Sequence, residues 1–303
     1  MKKKILITGG SGLLAINWTL TLRDEYEITL LLHTRDILIR GVKTAFHSLD
    51  SISQCIYFLN KYQPDIVIHT VGLTNIEGCE SNPELAYKIN VDLAKNISIS
   101  CSQKNIKLVH ISTDHLFSGK SSLVKEDAYT SPVNVYAQSK LRGEEVVQEN
   151  CHQALIIRTN FFGWGTNYRQ SFSDFILTKL KQNEQVNLFN DVFYTPIIIE
   201  QLCKKVHALV DLNAYGIFNI GGGERLSKFA FGVKLADGFD LQVGLINSVS
   251  INEKLDLVSR PRDMSLSNEK LDAALNCQIP NIAEQIQILR RQQRLEIDNQ
   301  LII

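Results

Sequence analysis

The chain lacks a charge bias: lysine plus arginine and aspartate plus glutamate number 32 each. Net charge therefore gives no support to a general role on nucleic acid or on an anionic membrane. It also lacks a paired-cysteine motif. Cys55, Cys79, Cys101, Cys151, Cys203 and Cys277 are scattered with no C-x-x-C, which argues against a zinc site or a disulfide framework and fits a reducing cytosol. The histidines have no metal-ligand spacing either, so no metal is expected. Long apolar runs are missing. The start, Lys2-Lys3-Lys4 before Ile5-Leu6-Ile7, resembles a signal peptide, but Thr8-Gly9-Gly10 cuts the apolar run short of the roughly 7–15 residues such a segment needs. No stretch approaches the ~18 apolar residues of a membrane span. The expectation is a cytoplasmic, soluble protein without internal repeats.

What is present is alternation. Ile5–Thr8, Glu27–Leu32, Ile66–Thr70, Lys107–Ile111 and Ala154–Arg158 are short apolar runs rich in Ile, Leu and Val and read as buried strands. Between them Leu13–Arg23, Ile52–Tyr62, Pro83–Ser102 and Val133–Glu149 have helical length and spacing. This order implies an α/β fold, a Rossmann-type doubly wound parallel sheet with ligands beyond the carboxyl ends of its strands. Beyond residue 165 the pattern loosens. Residues 171–183, 197–212 and 226–237 read as helices, 216–220 and 245–251 as strands, and Phe193-Tyr194-Thr195-Pro196 as a turn. The expected division is a dinucleotide domain, 1–165, and a smaller C-terminal α/β substrate lobe, 166–303, with 197–223 returning to the sheet. Arg290-Arg291-Gln292-Gln293-Arg294 is basic and reads as a solvated helix end.

Strand Ile5–Thr8 runs into Gly9-Gly10-Ser11-Gly12-Leu13-Leu14-Ala15 and then a helix. Glycines let backbone turn tightly against a pyrophosphate, whose charge the helix N-terminus stabilises. The second strand ends Leu32-His33-Thr34-Arg35-Asp36. Arg35 suits a 2′-phosphate and so favours NADPH, while Asp36 keeps NADH open. Far downstream lies Tyr136-Ala137-Gln138-Ser139-Lys140. Residues four apart share a helix face, and an ammonium beside a phenol, whose ordinary pKa is about 10, lowers it towards neutrality. That makes Tyr136 a candidate acid for carbonyl reduction. In isolation the same pair is a solvated contact worth roughly 0.2–0.5 kcal/mol.

Together these residues resemble the extended short-chain dehydrogenase/reductases, and among them the dTDP-4-dehydrorhamnose reductase group. The match extends through Leu49-Asp50, Thr74, Glu80, Pro83 and Glu84 to Ser112-Thr113-Asp114-His115-Leu116-Phe117-Ser118-Gly119. It continues through Ile157-Arg158-Thr159-Asn160 and Arg260-Pro261-Arg262. The resemblance implies NAD(P)H-dependent reduction of a nucleotide-linked 4-keto-6-deoxy sugar for surface polysaccharide synthesis. In that reading Thr113, Tyr136 and Lys140 are catalytic. Gly9, Gly10, Ser11, Gly12, Leu13, Leu14, Arg35, Leu49, Asp50, Val71 and Gly72 would hold the cofactor, with Tyr136 and Lys140. Thr74, Thr113, His115, Phe161 and Arg262 would meet the sugar nucleotide. A homodimer through the Tyr136 helix is also implied.

Two positions depart from the group. His115 stands where tyrosine is usual, and Phe161 where an indole is usual, so the hexose is left open. Phe161 and Phe162 also suit a core, and His115 also suits a structural histidine. Two other readings use the same scaffold. One is a nucleotide-sugar epimerase. The other is a non-catalytic nucleotide-binding subunit like the regulatory chain of methionine adenosyltransferase. A dehydratase is disfavoured because Asp114 is followed by His115 and not by glutamate.

Overall fold

A computed structural model describes residues 2–254, 256–292 and 301–302. Seven strands build the central sheet: β1 (Lys4–Thr8), β2 (Glu27–Leu32), β3 (Lys43–Phe46), β4 (Ile66–His69), β5 (Lys107–Ile111), β6 (Leu155–Thr159) and β7 (Gly216–Ile220). Their spatial order is β7-β6-β5-β4-β1-β2-β3, every pairing parallel. The order reverses at β1, between β4 and β2, and that switch point opens the crevice in which doubly wound sheets bind ligands.

The period of the strands decides which residue enters which layer. Ile5 and Ile7 of β1 join one core with Leu30, Ile68, Val109, Ile157 and Trp18. Their neighbour Leu6 faces the other way, into a second core with Leu31, Val67, Leu108, Ile156, Phe58 and Ile97. Both faces are covered, so the strands read as continuous apolar runs. The exception is β3, Lys-Thr-Ala-Phe, an edge strand with exposed ends. It carries no apolar run and is not visible as a strand in the sequence.

The helix expected over Pro83–Ser102 is three pieces. Pro83–Tyr87 is α-helical, Lys88–Asp92 is one π-helical turn and Leu93–Lys104 resumes the α-helix. Single π turns of this kind mark functional sites more often than plain helix does. The expected turn at Phe193 is a short strand, Phe193–Tyr194, antiparallel to Leu226–Ser227. Ile197–Ile198 pairs with Phe161–Phe162 before helix Ile199–Asp211 begins. Helices Phe172–Lys181 and Lys228–Gly238 pack on strands Val186–Phe189 and Ile246–Val249 to form the C-terminal lobe. Of the basic stretch at 290–294, Arg290 and Arg291 end helix Ile282–Gln292, while Gln293 and Arg294 lie outside the described residues. Among the described residues no helix is long and apolar enough to cross a membrane.

Candidate active site

The first site element is the turn after β1. Gly9 has φ +71°, a left-handed conformation in which side chains are strained. A β-carbon on Gly10 would stand 2.8 Å from Leu30 Cβ and 3.0 Å from the Leu31 carbonyl. The turn is therefore pressed onto β2 through the Gly10 N–H, which donates to Leu31 O at 2.8 Å. Helix Leu13–Leu22 starts with no side-chain cap, Gly12 being its N-cap residue. Its N-terminal amides are left for a ligand.

Two cavities flank this turn. One, of about 160 Å³, is lined by Gly9, Leu49, Asp50 and Val71, and also by His33, His47, Ser48, Ile89 and Leu93. The other, of about 320 Å³, is lined by Gly12, Leu13, Leu14, Val71, Gly72 and Thr74 on the turn side, and by Thr113, His115, Tyr136, Lys140 and Phe161 on the other. Val71 borders both, so the two cavities lie side by side along the turn, as the two halves of a dinucleotide would require. The group fits what the residues offer. Ser112, Thr159 and His115 are among the residues of the larger cavity, and their Oγ, Oγ1 and Nδ1 atoms are buried with no hydrogen-bond partner among the described residues. Buried polar atoms are normally satisfied, so these three await a polar ligand.

Tyr136 and Lys140 lie in helix Val135–Asn150, started by Asn134, whose side-chain oxygen accepts from Ala137 N at 2.8 Å. The same side chain donates to Ser259 O at 2.8 Å and ties the helix start to the Arg260-Pro261-Arg262 loop. Tyr136 is buried, with His115 edge-on to its ring at 5.5 Å. The expectation that Lys140 lowers the Tyr136 phenol is not what the structure shows. Burial pushes the phenol well up, and only the Thr113 hydroxyl opposes this by hydrogen bonding. Lys140 instead donates to Ile111 O at 2.8 Å, and burial brings its own pKa down to about 8. The raised phenol is fully protonated at neutral pH, the state a proton donor starts from.

Thr113 leads into a buried polar chain. Its hydroxyl donates to Asp114 Oδ1 at 3.3 Å, and Asn160 Nδ2 donates to Asp114 Oδ2 at 2.7 Å. Desolvation raises the Asp114 carboxyl above its ordinary range, against the opposing pull of His115 and of the Asn160 hydrogen bond. Burial likewise pushes His115 below its ordinary value.

Some expected residues lie elsewhere. Arg262 pairs with Asn252 and, at 3.9 Å, with Asp191, and it does not line the crevice. The loop carrying it is turned towards these polar partners, so the side chain has no reason to reach inward. Arg35 lies over the ring of Tyr168 at 4.0 Å. Tyr168 in turn donates to Ser11 O at 2.8 Å. Gly10 and Ser11 shape the turn without lining either cavity. Phe161 lines the larger cavity, while Phe162 is buried against Phe231.

The sequence reading missed Asn90 and Arg169. Asn90 sits in the π turn, 1% exposed. It accepts from Leu73 N at 2.8 Å and donates to Leu73 O and to Ser139 Oγ. It thereby fastens the Val71–Thr74 wall to the Tyr136 helix. That helix comes so close that a β-carbon on Gly143 would stand 2.5 Å from Asn90 O. Arg169 donates to Thr74 Oγ1 at 3.0 Å across the cavity mouth. Neither residue has a motif of its own; only proximity reveals them. Among the described residues no cluster of metal-ligating side chains occurs.

Residues 2–294 match the RmlD substrate binding domain family. The chain belongs to that family. Two relatives are distant but are matched over most of their length. A probable low-salt glycan biosynthesis reductase of Haloferax volcanii is 27% identical over 291 residues, 93% of this chain and 96% of the relative. The β subunit of methionine adenosyltransferase 2 of Pongo abelii is 24% identical over 281 residues, 89% of this chain and 82% of the relative. Among solved structures, dTDP-4-dehydrorhamnose reductase of Bacillus anthracis in complex with NADP superposes with a TM-score of 0.86 at 25% identity. That superposition covers 97% of this chain and all of the other.

Proposed function

We propose that this RmlD-family chain is an NADPH-dependent reductase of a nucleotide-linked 4-keto-6-deoxy sugar that supplies surface polysaccharide synthesis. The observation that carries the reading is the convergence of Tyr136, Thr113 and Lys140 on one cavity that continues past the glycine turn. The Bacillus anthracis neighbour, solved with NADP, supports the choice of cofactor. In this reading Gly9, Gly12, Leu13, Leu14, Leu49, Asp50, Val71 and Gly72 hold the dinucleotide. Bound there, a reduced nicotinamide supplies the hydride.

The chain's own residues do the rest. Tyr136 gives its phenolic proton to the carbonyl oxygen as that oxygen gains negative charge, so the carbonyl becomes a hydroxyl. Thr113 turns its one hydroxyl proton from the long contact with Asp114 to the same oxygen, and its contact with the phenol positions Tyr136. Lys140, four residues along the same helix and lining the same cavity, holds the nicotinamide ribose. The walls exclude water, which strengthens each of these interactions.

The same proposal assigns residues 1–165 to the dinucleotide and 166–303 mainly to the sugar nucleotide, with 197–223 returning to the sheet, as β7 does. It places the protein in the cytosol, where its six free cysteines, five of them buried, stay reduced. It pairs two copies through the region of the Tyr136 helix, beside which Leu85 and Tyr87 are exposed.

The test is NADPH and NADH oxidation against a panel of nucleotide-linked 4-keto sugars, with Tyr136→Phe alongside. The wild type should prefer NADPH and reduce at least one sugar. Tyr136→Phe should lose most turnover, roughly the 100- to 10,000-fold that a positioned proton donor contributes, while still binding NADPH. Normal reduction by Tyr136→Phe would remove the assignment of the acid. The adenosyltransferase relative favours a second, regulatory reading. Co-purification with a larger enzyme, together with no turnover of any keto sugar, would establish that reading instead.

A further inference from the structure

The C-terminal lobe carries a cation that the mechanism above does not use. Lys228 is the first residue of helix Lys228–Gly238, and its N–H donates to Val192 O at 3.0 Å, which fixes its place. Its ammonium lies 3.4 Å from the centre of the Tyr194 ring and 4.9 Å from that of Phe172. Phe172 is part of the wall of the larger cavity, and so is Asp114, whose carboxylate attracts the ammonium. That attraction is not a closed ion pair. Lys228 has no salt-bridge or hydrogen-bond acceptor among the described residues, and the Asp114 oxygens are taken by Asn160 and Thr113.

Three N–H donors are thus left unused at the edge of a buried site. An aromatic face attracts a cation but accepts no conventional hydrogen bond. Lys228 is only partly buried, yet its ammonium has no acceptor among the described residues, and a methionine or leucine would fill the space between two rings without desolvating a charge. Burial has brought the Lys228 pKa down to about 8, the mark of a cation short of partners. Arg260 adds positive charge nearby, although its own guanidinium is paired with Glu77. Lys228 stands next to that wall, its ammonium against Phe172 and drawn to Asp114, and it can offer donors to a group that enters beside them.

We propose that Lys228 is a specificity-determining residue for the sugar, its ammonium donating to an oxygen acceptor on the hexose at the wall formed by Asp114 and Phe172. The inference rests on the keto-sugar reductase reading and adds to it the demand for an oxygen substituent at one ring position. A sugar lacking that oxygen covers the ammonium and leaves it unpaired, which is how sites built on polar contacts reject a deoxy analogue.

The experiment uses the full chain, NADPH, a nucleotide-linked 4-keto-6-deoxyhexose that it reduces, and the 2-deoxy and 3-deoxy analogues of that sugar. Wild type, Lys228→Met and Lys228→Arg are compared in kcat and KM. Calorimetric binding of the reduced sugar nucleotide in the presence of NADP supplies a readout independent of turnover. Wild type should discriminate against one analogue by about 10–100-fold, the range expected for a hydrogen bond to a charged group. Lys228→Met should weaken the parent sugar by the same factor, mainly in KM and in the calorimetric Kd. It should leave that analogue and the Kd for NADPH unchanged, and Lys228→Arg should recover part of the loss. Should Lys228→Met fail to fold, Lys228→Gln takes its place, and the wild-type discrimination stands as a test by itself. Equal losses on all three sugars, or no loss, overturn the inference and leave the reductase reading intact. A wild type that reduces no keto sugar overturns both.

Discussion

Replacing Asn90 by alanine tests whether the π turn exists to hold the catalytic helix. The substitution deletes three hydrogen bonds: from Leu73 N at 2.8 Å, to Leu73 O at 3.1 Å and to Ser139 Oγ at 2.9 Å. Each is worth about 0.5–1.5 kcal/mol net, and the side chain is buried, so the expected loss is about 2–4 kcal/mol. At roughly 2–4 °C per kcal/mol for a protein of about this size, Tm should fall by about 4–16 °C. Function should fall further than stability. Leu73 adjoins Gly72 and Thr74 in the cavity wall, and Ser139 is next to Lys140 on the helix, so both sides of the crevice lose their common tie. The assay pairs thermal and guanidinium melts with NADPH titration and turnover at a temperature where the variant stays folded. A double-mutant cycle with Ser139→Ala should give a coupling of about 0.5–1.5 kcal/mol, because the two side chains touch. If Asn90→Ala melted within 1 °C of wild type and kept its turnover, the link from π turn to active site would be refuted.

Two further outcomes follow from the same geometry. Gly10→Ala should destabilise by about 1–3 kcal/mol and weaken NADPH binding, since the new methyl meets Leu30 and the Leu31 carbonyl. A melt and a fluorescence titration would read this, and unchanged values would show that the turn is not held against β2. Acid should unfold the protein through buried imidazoles. Burial lowers His69 to about 3 and His207 to about 4, and holds His110 well below its ordinary value. The unfolded chain then binds more protons than the folded one between the ordinary histidine value of about 6.5 and those lowered values. Stability is therefore full above that window and lost as pH falls through it, on the order of 2 kcal/mol per histidine by pH 5. Guanidinium melts at pH 7 and pH 5 check this, and equal midpoints would contradict it.

The parts of the site that the sequence exposes are those built from local chemistry. The glycine turn shows itself because glycine is favoured at the positive φ of Gly9 and a side chain at Gly10 would meet β2. The Tyr136–Lys140 pair shows itself because a helix repeats its face every four residues. The residues missed act across the chain. Asn90 reaches Ser139 from 49 positions away, and Lys228 comes to Asp114 from 114 positions away. Edge strand β3 escaped because it buries too little to need an apolar run.

Two local expectations changed when neighbours from other elements entered. Lys140 was expected to act on the phenol four residues before it, yet its ammonium turns to Ile111 O of β5. Arg262 was expected at the sugar nucleotide, yet Asn252 and Asp191 hold it. Hydrophobic alternation, the glycine turn and the helical repeat of Tyr136 and Lys140 are local, and the amino-acid order alone determined them: the parallel sheet, its crevice and the pair of groups at its mouth. Which proton is held, which cation is left without an acceptor and which side chain ties the walls together was decided only by folding. Desolvation and long-range hydrogen bonds depend on what the rest of the chain brings alongside, and no stretch of sequence contains that on its own.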